Sequence, residues 1–175
     1  MTWNAFHSRG EILRTVVAAA DSRLDGRLPW DVEGVREVFD DELDLLGALQ
    51  LRWHTRLAGR VDRALMHQPL DLEAAVIGAW HDAAEELPGL RLVLDHHREH
   101  PLDDRMADAV ATAAAKEQTM LAVMAGLAGT ENTGAASVGA ALEDRARDSM
   151  PATRRPRPDH RAPGLLGRLR AALAA

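Results

Sequence analysis

The chain has 175 residues, 46% hydrophobic and 27% charged, which suits one globular domain with or without an appended segment. It contains no cysteine, which excludes a disulfide scaffold, thiolate zinc sites, iron–sulfur ligation and a cysteine nucleophile. The formal net charge of −6 hides a split, because residues 151–175 carry six arginines against Asp159 alone, a net of +5. Residues 1–150 then hold 15 basic and 26 acidic side chains, a net of −11.

An acidic body repels a phosphate backbone, so nucleic acid is not its expected partner. No apolar run approaches the roughly 18 residues that a membrane-spanning helix needs. The opening Met1-Thr2-Trp3-Asn4 lacks the basic and apolar regions of a secretory signal, so the expectation is a soluble cytoplasmic protein.

No stretch alternates apolar and polar residues for long enough to suggest a strand, and helix signals recur instead. Ser8 and Glu11 have capping-box spacing ahead of Ile12, Leu13, Val16 and Val17, which predicts a helix over about 9–22. The Asp25-Gly26 turn should end it. Three later starts share one device: Pro29-Trp30-Asp31, Pro69-Leu70-Asp71 and Pro101-Leu102-Asp103 each offer an aspartate as N-cap.

From Asp31 the helical pattern runs to about His67, with a break expected near Asp40-Asp41. Its apolar positions Leu46, Leu49, Trp53, Leu57, Val61 and Ala64 recur at three- and four-residue steps. Further helices are predicted over about 72–86, 89–99, 104–128 and 135–148. Together these describe an all-α, antiparallel bundle of about five or six helices in residues 1–150.

Residues 151–164 place Pro151, Pro156, Pro158 and Pro163 among arginines without apolar periodicity, as a disordered linker would. The remainder, 165–175, is Leu/Ala/Arg-rich again. Leu165, Leu166, Leu169 and Leu173 share one side, with Arg168 and Arg170 away from it, which predicts a short basic amphipathic helix. Such tethered helices resemble the tails that load cargo into bacterial protein shells.

The chemistry is less legible. There is no phosphate-binding glycine loop, no Gly-x-Ser-x-Gly elbow and no His-Glu-x-x-His, and no enzyme class is supported. The order His54, His81-x-x-x-Glu85 and His96-x-x-x-His100 resembles the hemerythrin family of four-helix di-iron proteins. That resemblance implies ligands pointing into a bundle, and it lacks a histidine on a fourth helix.

Helical geometry, at about 100° per residue, turns His81 and Glu85 roughly 160° from the apolar face of their helix and His96 and His100 about 80–120° from theirs. The same arithmetic turns other residues inward. Glu117 falls within the Met106, Val110, Ala113, Met120, Met124 stripe, and His97 lies at the centre of its own. Glu42 would share a face with Phe39, Leu46 and Leu49 if that helix were continuous, and His54 sits at a stripe's edge. Inward carboxylates and imidazoles from facing helices can hold iron, manganese or zinc, so Glu42, His54, His97 and Glu117 are the candidate metal site. The competing expectation is a satisfied polar core in which Glu117 meets an arginine or histidine from a neighbouring helix.

The functional expectation is a non-enzymatic helical interaction protein. Its docking element would be the basic C-terminal segment, with Arg154, Arg155, Arg157, Leu165, Leu166, Arg168, Leu169, Arg170 and Leu173 as contact residues. A protein partner or an anionic membrane surface could receive it. A homodimer through the long 41–67 helix is a third possibility, and a helical metal or cofactor binder is the alternative.

Overall fold

A computed structural model describes residues 3–67, 69–129 and 131–150, with side chains from residue 9 onward. These residues form seven helices and no strand: α1 Trp3–Arg23, α2 Val35–Val38, α3 Glu42–Met66, α4 Leu72–Glu86, α5 Pro88–Glu99, α6 Asp104–Met124 and α7 Ala135–Ser149. The expected linker 151–164 and helix 165–175, with their arginines and leucines, lie outside the described residues.

Aspartate capping works at three starts. Asp41 accepts from Asp44 N, Asp71 from Ala74 N and Asp103 from Met106 N, each satisfying a donor the first turn leaves open. The predicted start at Asp31 is corrected. Asp31 receives Arg23 in an exposed ion pair, and the short α2 begins after Gly34, whose φ of 82° is left-handed. The expected break near Asp40-Asp41 is present, with Phe39 extended ahead of the cap. Because the helix is interrupted there, Glu42 starts a new one and shares no continuous face with Phe39.

Two other boundaries move. α1 starts at Trp3, so Ser8 lies inside the helix rather than at its cap. α6 ends at Met124, where Gly126 adopts a φ of 69°, rather than running to 128.

A single apolar core runs through the helices. It includes Val16, Phe39, Leu45, Leu49, Trp53, Leu57, Trp80, Leu90 and Leu121, each almost fully buried. The methionine strip is part of it, with Met106 buried and Met120 and Met124 packed against it. Trp53 and Trp80, each followed by a histidine in the chain, both face inward and meet edge to face with ring centroids 6.1 Å apart.

Two pairings place the side chains that matter below. α3 and α4 run antiparallel, since Arg56 meets Glu86 while Arg60 meets both Glu86 and Asp82. α3 and α6 run parallel instead, because Asp41 pairs with Arg105 near their starts and Trp53 meets Glu117 about three turns further on. A tertiary cap joins α1 to α5: Asp21 Oδ1 accepts from the backbone N–H groups of Gly89 (2.8 Å) and Leu90 (3.3 Å). Burial raises the Asp21 carboxyl above its ordinary value, against the pull of those two donors.

Candidate functional site

Four charged or polar side chains are buried among the described residues: Arg91, His97, Glu117 and Glu143. Three of them belong to one network at the junction of α3, α5, α6 and α7. Glu117 is fully buried on α6, and Trp53 Nε1 donates to its Oε1 at 2.9 Å. Gln50 Nε2 donates to Oε2 at 3.3 Å, and Arg91 Nη1 lies 3.6 Å from Oε1. The guanidinium of Arg91 also lies over the Trp53 ring, 4.8 Å from its centroid, and donates to Asp95 at 2.7 Å.

The second half of the network is built by α7. Arg147 makes a two-pronged contact with Asp95, at 2.8 and 2.9 Å, and donates to Glu143 at 2.7 Å. Arg98 and Gln118 complete the shell of Glu143 at 3.0 and 3.2 Å. Arg147 also stacks on Trp80 at 5.3 Å. The network therefore joins three arginines to three carboxylates.

The electrostatics follow from that matching. Burial alone would raise the carboxyls of Asp95 and Glu143. The guanidiniums around them outweigh it, Arg91 and Arg147 for Asp95, and Arg98, Arg91 and Arg147 for Glu143, and hold both below the usual carboxylate range. Arg147 is held above the usual arginine value, its two carboxylate partners outweighing burial.

His97 is buried, as its helical position predicted, and its Nδ1–H donates to the carbonyl of Val93 at 2.8 Å. Burial lowers its pKa, with His96 acting in the same direction and Glu42 and the Val93 bond opposing. A pH dependence follows. The unfolded chain takes up a proton at His97 below about pH 6.5, where the folded chain resists it, so stability declines gently from there. Asp95 and Glu143 contribute above about pH 4, and that contribution is lost as pH falls through their lower folded values. Urea midpoints measured from pH 7 to 3 should show a shallow fall and then a steep one, and His97→Gln should remove the shallow part. Midpoints independent of pH over that range would contradict the network as described.

The four candidate metal ligands are not gathered. Glu117 is engaged by Trp53, Gln50 and Arg91, His97 by Val93, Glu42 is half-buried at the start of α3, and His54 lines a surface cleft. Among the described residues no three His, Asp or Glu side chains form a group that could hold a metal ion. The histidines of the hemerythrin-like order are also dispersed. His96 and His100 stack on each other at the surface, 5.1 Å between centroids, and Glu85 is exposed. His81 departs from its expected solvent position: it is half-buried and its Nε2–H donates to the Ala146 carbonyl at 2.7 Å, because α7 packs across that flank of α4.

Sequence reasoning missed Arg91, Asp95, Glu143 and Arg147. A signal existed in the Arg91/Asp95 and Glu143/Arg147 spacings of four residues, but such pairs usually mark a solvated helix face.

A second feature faces outward. α3 and α6 leave an apolar cleft of about 290 Å³ between them, floored by Leu46, Gly47, Val110 and Ala113 and ending at His54 and Lys116. A second cleft of about 720 Å³ lies between α1 and α3, and the two share Leu43, Gly47, Leu51 and Ala109. Leu51 stands between them 66% exposed.

Comparison with known protein families, with curated proteins and with solved structures returns no match to this chain. No helix among the described residues is long and apolar enough to cross a membrane.

Proposed function

We propose that this chain is a non-enzymatic helical-bundle interaction protein whose basic C-terminal segment docks a protein partner. The observation that carries the reading is the internally paired polar core, in which Arg91 leaves Nε and Nη1 without a hydrogen bond but keeps Nη1 3.6 Å from Glu117. Glu117, Glu143, Arg91 and His97 bond to one another's neighbours or to backbone, so the buried ionisable groups serve the fold. A catalytic or metal-binding role would require them to release those partners, and a buried charge left unpaired costs several kcal/mol.

The charge division supports the same reading. A body at −11 stays separate from acidic surfaces, while a segment at +5 with a Leu165/Leu166/Leu169/Leu173 stripe suits an acidic, apolar groove.

Three proteins test it: the full chain, residues 1–150, and residues 151–175 fused to an inert carrier. The same partner should be retained by the full chain and by the fusion, and lost from residues 1–150. Retention by residues 1–150 alone would overturn the role of the segment. Sedimentation with phosphatidylglycerol vesicles separates a membrane surface from a protein partner. The metal alternative is answered by elemental analysis of the full chain beside Glu117→Gln, where near-stoichiometric iron, manganese or zinc that falls in the variant would displace the interaction reading.

A further inference from the structure

We propose that the paired clefts on α1, α3 and α6 form a second docking surface, which receives an acidic amphipathic helix from a protein partner. The shape argues for a helix. The lining on α3 runs from Leu43 to Thr55, a rise of roughly 18 Å, which matches about three turns of a docked helix. Gly47 sits midway with nothing within 4 Å of where a Cβ would stand, so a partner backbone can approach α3 closely there. The exposed Leu51, one turn further on, offers an apolar ridge for the i, i+3, i+4 and i+7 anchors of such a partner.

Charge decides which helix. In a body of net −11 this surface is locally positive. Arg52 and Lys116 line it, both exposed and with no acidic partner among the described residues. Asp44, the one acid among the described lining residues, is already held by Arg9 at 2.7 Å. The chain's own 151–175 segment, at +5, is mismatched to that rim, and a second copy would bring the same two cations against themselves. An acidic partner leaves no such conflict. This surface is distinct from the segment after Met150, so its failure leaves the reading of that segment standing.

The test uses the full chain and two labelled synthetic peptides of the same leucine pattern, one flanked by glutamates and one by lysines. Fluorescence anisotropy at low ionic strength should show saturable binding of the glutamate peptide and at least about tenfold weaker binding of the lysine peptide. Joint replacement Arg52→Glu and Lys116→Glu should weaken the glutamate peptide by about tenfold or more, and Leu51→Glu should abolish binding. All three positions are exposed, and circular dichroism will verify that helix content is retained. Equal affinity for the two peptides, no binding of either, or indifference to the charge reversal overturns the proposal. It is equally overturned if binding appears only after residues 151–175 are removed, which makes that segment the occupant. A dimer in light scattering that Leu51→Glu converts to monomer would make a second copy the occupant.

Discussion

Glu117→Leu is expected to lower the stability of the helical domain by about 3–5 kcal/mol, the usual cost of stranding one partner of a buried ion pair. The carboxylate is fully buried and is the acceptor for Trp53 Nε1 and Gln50 Nε2, while also facing Arg91, which is itself 3% exposed. Removing it leaves the guanidinium hydrogen-bonded to Asp95, which is already shared with Arg147, with Glu143 acting only through space. The indole N–H of Trp53 loses its acceptor at the same time. Thermal unfolding should fall by roughly 10 °C, given about 2–4 °C per kcal/mol at this chain length.

The double replacement Arg91→Met with Glu117→Leu should recover much of that loss, since it removes both charges and leaves apolar volume. A double variant no better than Glu117→Leu would mean that Arg91 is worth more through Asp95 and the Trp53 ring than through Glu117.

Gly139→Ala should destabilise by about 3 kcal/mol, at the upper end of ordinary overpacking. α7 rests directly on α6 at this residue, and an added Cβ would overlap the backbone carbonyl of Gln118. A helix backbone cannot yield locally as a side chain can, so α7 would have to lift as a unit. That movement would draw Glu143 away from Gln118 and Arg98.

Gly78→Ala on α4 supplies the opposite sign. Nothing lies within 4 Å of its would-be Cβ, so the substitution adds helix propensity and should stabilise by about 0.5–1 kcal/mol. Urea denaturation of the two variants side by side checks both. Equal effects would contradict the close approach of α7 to α6.

Much of the helical layout is legible in the residues themselves. The three- and four-residue recurrence from Leu46 to Val61 marks the buried face of α3, and Asp71 and Asp103 mark two of the starts. Capping and periodicity are local: a side chain and the backbone amide three residues on are enough to define them. Asp31 shows the limit of the same rule. Its Pro-Trp-Asp start looks like the other two, yet its carboxylate pairs with Arg23 of α1, and a tertiary contact has replaced the cap.

The candidate site was legible in part. Rotation about the helix axis correctly turned Glu117 and His97 inward, and both are buried. It also offered Glu117 an arginine or histidine from a neighbouring helix, and Arg91 of α5 is there, but it did not single out which residue, nor gather the other candidates. His54 lies in a surface cleft, Glu42 stands at the start of an interrupted helix, and His97 turns back to the carbonyl of its own preceding turn.

By itself, then, the sequence determined the helical class, most boundaries, the inward direction of Glu117 and His97, and the division between an acidic body and a basic end. Only the tertiary structure decided that Arg91, Asp95, Glu143 and Arg147 join Glu117 in one network, buried at Arg91, Glu117 and Glu143 and half-buried at Asp95 and Arg147, and that Arg52 and Lys116 flank an open apolar cleft. Spacings of four residues and isolated cations look the same whether they face water or a neighbouring helix. What separates the two cases is the relative placement of α3, α5, α6 and α7, which long-range packing sets and no local pattern encodes.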